Sequence, residues 1–339
     1  MVDNWMRQLD RLHEGLRERG DPAELVAETD AVEASQRYPQ LAVRGPVFGV
    51  AALDPTEGAR WRVITPVVDG APQRSRDALH SMLWFRAKDD TDDPEVRREL
   101  LAAVSVLERE PVNEVSALGV RYRIVRGDEC TRAGEEGLEP PRPTDREPLH
   151  RSWDDRRDSP SPDPGFVLDA GREETSLMAG ALRVGLSGFA YRGARFPEEV
   201  RADSERAVET HPEVLLLPVG FGVIEHDGTG WQPRGALLPT PHDARRMLYD
   251  ALREFWPLVS ELSAKRRRAY ARAAEELRAA GRANEVRADG SLFRVCRIER
   301  LLRVGPDGPE PPRPSDVDYE APMKLHPTMD PDGTIHHDA

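Results

Sequence analysis

Hydrophobic positions along this chain follow two periods, and the switch between them occurs twice in the same order. An apolar run over residues 41–53 has the length of a strand, as does the run over 61–68. The turn segment Asp54-Pro-Thr-Glu-Gly58 parts them, which predicts an antiparallel hairpin. Residues 24–36, just before it, predict a short helix. Further on, Val96, Leu100, Ala103, Val104 and Leu107 recur at spacings of three and four, the stripe of an amphipathic helix over 94–110. Strand residues return over 120–125. The same sequence of patterns then recurs. His226-Asp-Gly-Thr-Gly230 is a tighter turn before Trp231, and Tyr270, Ala273, Ala274 and Leu277 form a helical stripe that Gly281 stops. Thr240-Pro-His-Asp243 has the residues of a helix start: a hydroxyl cap, proline at the first helical position and an acid at the third. Pro72 holds that place in the first half. A last apolar strand covers 293–298.

The residues repeat as well as the pattern. Gly119-Val-Arg-Tyr-Arg-Ile-Val125 leads to Glu139-Pro-Pro-Arg-Pro-Thr-Asp145. Gly290-Ser-Leu-Phe-Arg-Val-Cys296 leads to Glu310-Pro-Pro-Arg-Pro-Ser-Asp316, at an offset of 171 throughout. Tyr38-Pro39 and Phe48-Gly-Val50 match His211-Pro212 and Phe221-Gly-Val223 at an offset of 173. Trp61 matches Trp231, and Pro72, Arg76 and Leu79 match Pro241, Arg245 and Leu248. Anchors in one order at near-constant offset read as a duplicated domain. The expected fold is α+β: two tandem, pseudo-symmetric copies of an α-β-β-α-α-β-β unit, with antiparallel sheets and helices on one face. The division is 1–23, an N-terminal amphipathic helix; 24–148, the first copy; 149–197, linker and extra strand segment; 198–322, the second copy; 323–339, a tail without periodicity. Within 149–197, a Pro/Ser/Asp linker with little to bury spans 150–164, and strand-like pieces lie at 166–168 and 181–191.

The runs Arg44-Gly-Pro-Val-Phe-Gly-Val50 and Met82-Leu-Trp-Phe-Arg-Ala-Lys88, with the doubled Glu-Pro-Pro-Arg-Pro-Thr/Ser-Asp ending, resemble an uncharacterised actinomycete family classed as a domain of unknown function. The resemblance covers roughly residues 30–325 and implies a soluble protein, with no activity and no site residue attached.

Composition narrows the function classes. The 339 residues carry a formal charge of −13, which argues against a general nucleic-acid surface. No apolar run is long enough for a membrane helix, and the first 20 residues are charged throughout, so a cytoplasmic protein without membrane contact is expected. Two cysteines cannot build a disulfide framework. All but three of the 48 basic residues are arginines. Codon usage explains such a bias; selection for bidentate contacts to carboxylates or phosphates is the functional alternative.

Motifs for chemistry are sparse. Gly220-Phe-Gly222 and Gly185-Leu-Ser-Gly188 do not fit a dinucleotide fingerprint, and no phosphate loop, zincin or paired-cysteine motif occurs, so no cofactor and no metal is expected. Cys296 reads as a buried small hydrophobe. Cys130 follows Asp128 and Glu129, whose charges oppose a thiolate. His80 and His242 lie on predicted helices and carry no catalytic pattern, and His336-His337 sits in the tail. Lys265-Arg-Arg-Arg268 is the strongest basic cluster, more in keeping with a solvated face than with phosphate contacts.

Two binding candidates remain. Arg142 and Arg313 stand in the repeated Pro-Pro-Arg-Pro endings, each able to bind an acid such as Asp145 or Asp316. Trp5, Leu9, Leu12 and Leu16 recur at spacings of four, three and four, an apolar stripe suited to its own body or to a protein partner or second copy. The functional expectation is a non-catalytic binding or scaffolding protein, acting through the groove between the repeats or through the N-terminal helix. The alternatives are an enzyme with a site at the repeat interface and a nucleic-acid-binding regulator.

Overall fold

The computed structural model describes residues 22–58, 60–148, 152–154, 159–169, 171, 176–260 and 262–337. Trp5, Leu9, Leu12 and Leu16 lie outside these. The first half runs α1 (Pro22–Arg37), β1 (Gln40–Leu53), β2 (Trp61–Asp69), α2 (Pro72–Asp89), α3 (Pro94–Leu107), β3 (Glu114–Ala117), β4 (Val120–Gly134) and β5 (Gly137–Leu138). Then come α4 (Leu177–Ser187) and α5 (Glu198–Thr210). The second half continues with β6 (Glu213–Leu216), β7 (Gly220–His226), β8 (Trp231–Leu238), α6 (Pro241–Asp250), a π-helical turn over Ala251–Phe255, and α7 (Trp256–Val259). It closes with α8 (Ala264–Ala280), β9 (Glu285–Ala288), β10 (Ser291–Gly305) and β11 (Gly308–Pro309).

The main strands form one antiparallel sheet in the order β2-β1-β4-β10-β7-β8. The long strands β4 and β10 meet at its centre, where Glu129 stands opposite Arg300, its counterpart at the 171-residue offset. β1 is a single strand with a register shift between Val43 and Gly45. The matching stretch of the second half is broken into β6 and β7 around Pro218, because proline offers no amide to the ladder.

Opposed residues of neighbouring strands share a face, so both helix pairs cover the same side. α2 and α3 bury Leu79, Leu83, Leu100, Val104 and Leu107 on Phe48, Val50, Tyr122 and Ile124. α6 and α8 bury Leu248, Tyr270, Ala273 and Leu277 on Phe221, Val223, Phe293 and Val295. The expected helix start is present: Thr240 Oγ1 accepts the Asp243 amide at 3.1 Å. On the opposite side Val47, Val63, Val67, Val125 and Leu302 pack with Leu215 and Leu217.

The two Pro-Pro-Arg-Pro endings cross over. The Glu139 carbonyl accepts the Arg297 amide, and the Glu310 carbonyl accepts the Arg126 amide, each at 2.9 Å. Asp145 then binds the Arg297 guanidinium at 3.0 Å, and Asp316 binds Arg126 at 3.1 Å. Farther on, Glu147 reaches Arg245 and Asp318 reaches Arg76, both at 2.6 Å. Every one of these contacts joins one half to the other. Gly308, at φ +110, lies against Trp61, and Gly137, at φ +101, lies against Trp231 and Arg294; at neither position would a Cβ fit.

Four expectations change. The extra strand over 181–191 is instead largely the helix α4, which buries Leu182 and Leu186, four residues apart. A short apolar run does not separate the two periods. At 166–168 the structure has only an isolated bridge, Val167 with Arg62. The stretch 159–164 is not bare linker, since Asp163 is fully buried, accepts the Val67 amide at 3.0 Å and pairs with Arg300. Finally, the tail is ordered onto the first half. It carries β12 (Thr328–Met329) and β13 (Ile335–His336) and buries Met329 in the core of α2 and α3. Trp84 Nε1 donates to the Pro327 carbonyl at 3.1 Å.

Candidate functional site

A cavity of about 420 Å³ opens where the halves meet. One wall is α1, through Glu24, Ala27, Glu28 and Ala31; a second is the start of α4, through Met178, Ala179 and Leu182. Leu215 to Val219 close it from the second half, and Phe166 adds an aromatic side. Thus much of the lining is apolar. The rest is the charged centre of the sheet: Arg132, Arg142, Asp145, Arg297 and Glu299.

Local bonds hold the walls. Ser176 Oγ caps α4 by accepting the Ala179 amide at 3.1 Å. The Glu28 carboxylate accepts the Leu177 and Met178 amides at 3.1 and 2.8 Å, placing an anion where a helix start favours one. Thr144 is held to Asp30 through both its amide and its hydroxyl.

Among the charged residues the pairing is uneven. Arg297 bonds Asp145 and Glu299. Burial pulls its pKa down, but those carboxylates outweigh it and hold the cation more firmly than usual. Arg142 Nε bonds Glu139 at 2.6 Å. The half-buried Arg132 has no side-chain hydrogen bond or ion pair to any described residue, and burial lowers its pKa. Glu299 bonds Arg297 through Oε1 only. Sequence reasoning missed Arg132, which lies in a β-strand with nothing local to mark it.

Arg142 and Arg313 each bind an acid, though through the guanidinium it is not the aspartate three residues on. Their guanidinium groups take Glu139 and Glu310, three residues earlier, each at 2.6 Å. Asp145 and Asp316 instead accept the Arg142 and Arg313 backbone amides at 2.7 Å and bind an arginine of the opposite half. Arg142 lines the cavity, whereas Arg313 does not.

The counterpart of Arg132 is Arg303, 171 residues on. The charged groups acting on Arg132 are Glu139, Arg142, Glu299 and Arg297. Those acting on Arg303 are their four counterparts, Glu310, Arg313, Asp128 and Arg126. Yet Arg303 is buried and saturated. It donates to the carbonyls of Ser187 at 3.1 Å, His211 at 3.4 Å, Leu186 at 3.3 Å and Phe189 at 2.7 Å. Beside it the Tyr191 hydroxyl donates to Asp128. One site is filled by the end of α4 and the residues after it, and the other is a cavity.

Other candidates recede. Both thiols are buried, and burial chiefly pushes each to about 12, so neither is a nucleophile near neutral pH. His80 Nε2 is 3.2 Å from Glu108 and its ring stacks on His326, inside the clasp of the tail. His242 packs edge-on against Trp153. Lys265-Arg-Arg-Arg268 is exposed at the start of α8, with Arg266 paired to Asp289. Among the described residues no cluster of three or more histidine, cysteine or acidic groups could hold a metal, and no helix is long and apolar enough to cross a membrane.

These features define an antiparallel α+β protein with a part-apolar, arginine-bearing cavity at its midline. A family of unknown function, DUF5954, matches residues 21–319, and the chain belongs to that family. No curated protein and no solved structure matches it.

Proposed function

We propose that the protein is a binding protein for a small carboxylate-bearing molecule, held in the midline cavity without chemical change. One observation carries this reading: Arg132 faces a cavity with no partner among the described residues, while Arg303 in the same surroundings is satisfied by four carbonyl oxygens. An unpaired, half-buried guanidinium invites an oxyanion, which its planar fork binds in two places. The volume lies within the range of small-molecule sites, and the apolar walls suit the body of such a ligand.

The reading also treats the halves as copies of one unit, related by a local two-fold axis through the Glu129 and Arg300 pair. The crossed contacts at matching positions support it. Binding is favoured over catalysis because the hydroxyls at the cavity are committed: Thr144 to Asp30 and Ser176 to the α4 amides.

The test is calorimetric titration with phenylacetate and hexanoate. Binding is expected to weaken at least about ten-fold in Arg132→Ala, the scale of a lost charge-assisted hydrogen bond. Absence of binding, or affinity indifferent to Arg132, would overturn it.

A further inference from the structure

The filled site around Arg303 shows which groups the cavity leaves unmet. Two polar partners are served there. Arg303 meets the carbonyl oxygens at the end of α4. Asp128 is bonded through both oxygens, Oδ2 by Arg126 at 2.8 Å and Oδ1 by the Tyr191 hydroxyl. The Tyr191 ring packs edge-on against Phe189, so this donor comes with an apolar body. At the cavity the counterparts of Arg303 and Asp128, at the 171-residue offset, are Arg132 and Glu299. Glu299 Oε1 takes Arg297, the counterpart of Arg126, but Oε2 has no donor among the described residues. The cavity therefore lacks an acceptor at Arg132 and a donor at Glu299. Glu299 stands opposite Cys130, two residues from Arg132, so the two are diagonal neighbours on one face of the sheet.

We propose that the ligand of the midline cavity is an α-amino acid with an apolar side chain, its carboxylate taken by Arg132 and its ammonium by Glu299 Oε2. The inference rests on the carboxylate reading and narrows it to a zwitterion. Charge at the cavity agrees, because Glu24, Glu28, Asp145 and Glu299 face Arg132, Arg142 and Arg297, a mixed lining rather than a basic one. An ammonium gives Glu299 a bond charged on both sides, stronger than a neutral hydroxyl supplies. Phe166, Met178, Leu215 and Leu217 then receive the side chain, as Phe189 accompanies Tyr191 in the filled site.

The test is calorimetric titration with L-norleucine and hexanoate, which differ only by the α-ammonium, and with 2-hydroxyhexanoate. Norleucine is expected to bind at least about ten-fold more tightly than hexanoate, the scale of one charge-assisted hydrogen bond. Glu299→Gln should remove most of that advantage while hexanoate keeps or gains affinity, which also reports that the variant is folded. The comparison in the parent protein needs no variant and decides by itself if Glu299→Gln misfolds. Arg132-dependent binding in which hexanoate is at least as tight as norleucine would overturn the amino-acid inference and leave the carboxylate reading intact. A norleucine preference that survives in folded Glu299→Gln, or tighter binding of 2-hydroxyhexanoate, would also overturn it. Binding of neither norleucine nor hexanoate would remove both readings together.

Discussion

Arg132 and Arg303 show how little a residue's own identity says about its role. Both are arginines on a central strand, surrounded by matching charges. Arg303 gathers the carbonyls at the end of α4. Truncating it strands several buried acceptors, each of which needs a donor. Arg303→Ala is therefore expected to cost about 3 kcal/mol or more in chemical denaturation. Arg132→Ala breaks no bond to a described residue and should stay within about 0.5 kcal/mol of the parent. Equal losses in the two variants would mean that Arg132 has a structural partner. A second contrast lies at Asp163, which is fully buried and shares its carboxylate between Arg300 and the Val67 amide. Asp163→Ala leaves Arg300 buried without its counter-charge, an effect of about 3–5 kcal/mol when a buried pair is broken. A loss below about 1 kcal/mol by the same denaturation would show that the linker is not anchored there.

At the scale of elements, the tail is a clasp on α2 that is expected to loosen as the pH falls. His326 stacks on Trp84 at 4.6 Å and on His80 at 5.5 Å, and its Nε2 lies 3.0 Å from Ser81 Oγ. Burial, and then the neighbouring His80, lower its pKa from 6.5. A histidine with a depressed folded pKa contributes stability above its unfolded pKa, and that contribution is lost as pH falls through the folded value. Amide protection of residues 323–337, corrected for intrinsic exchange, should fall from pH 7 to pH 5 while the core of β4 and β10 keeps its protection. His326→Phe should flatten that dependence; an unchanged profile would exclude His326 as the cause. This clasp was not legible in the sequence, because the tail has no periodicity and its anchors are single side chains. The regular elements were legible where periodicity runs long: the α3 stripe, the β1–β2 hairpin and the Thr240 cap all stand where the pattern puts them. α4 was not, since its apolar residues Leu182, Val184 and Leu186 alternate like a strand until the backbone shows which of them is buried. The cavity escaped for a related reason. Its walls come from α1, α4, β4, β6 and β10, and no local spacing links residues so far apart.

At the scale of the whole molecule, the crossed endings decide whether either half is independent. Arg126 is buried between Asp128 of its own strand and Asp316 of the other half, and Arg297 between Glu299 and Asp145. Each half alone would therefore keep a buried arginine with one of its two carboxylates missing, which is costly. The sheet would also be cut between β4 and β10, exposing two long edges that readily pair with other chains. Self-pairing is opposed by charge: Glu129 would face Glu129 in a dimer of first halves, and Arg300 would face Arg300 in a dimer of second halves. The native register sets Glu129 opposite Arg300 instead. Fragments 1–158 and 159–339, produced separately and mixed, are thus expected to form a 1:1 complex with the melting behaviour of a cooperative protein. Alone, each should aggregate or melt without cooperativity. Raising salt should slow their association, since part of the attraction is between opposite charges. Light scattering and thermal melts on the fragments, singly and mixed, check this. Two stable monomers that ignore each other would show that the crossed endings are incidental to folding.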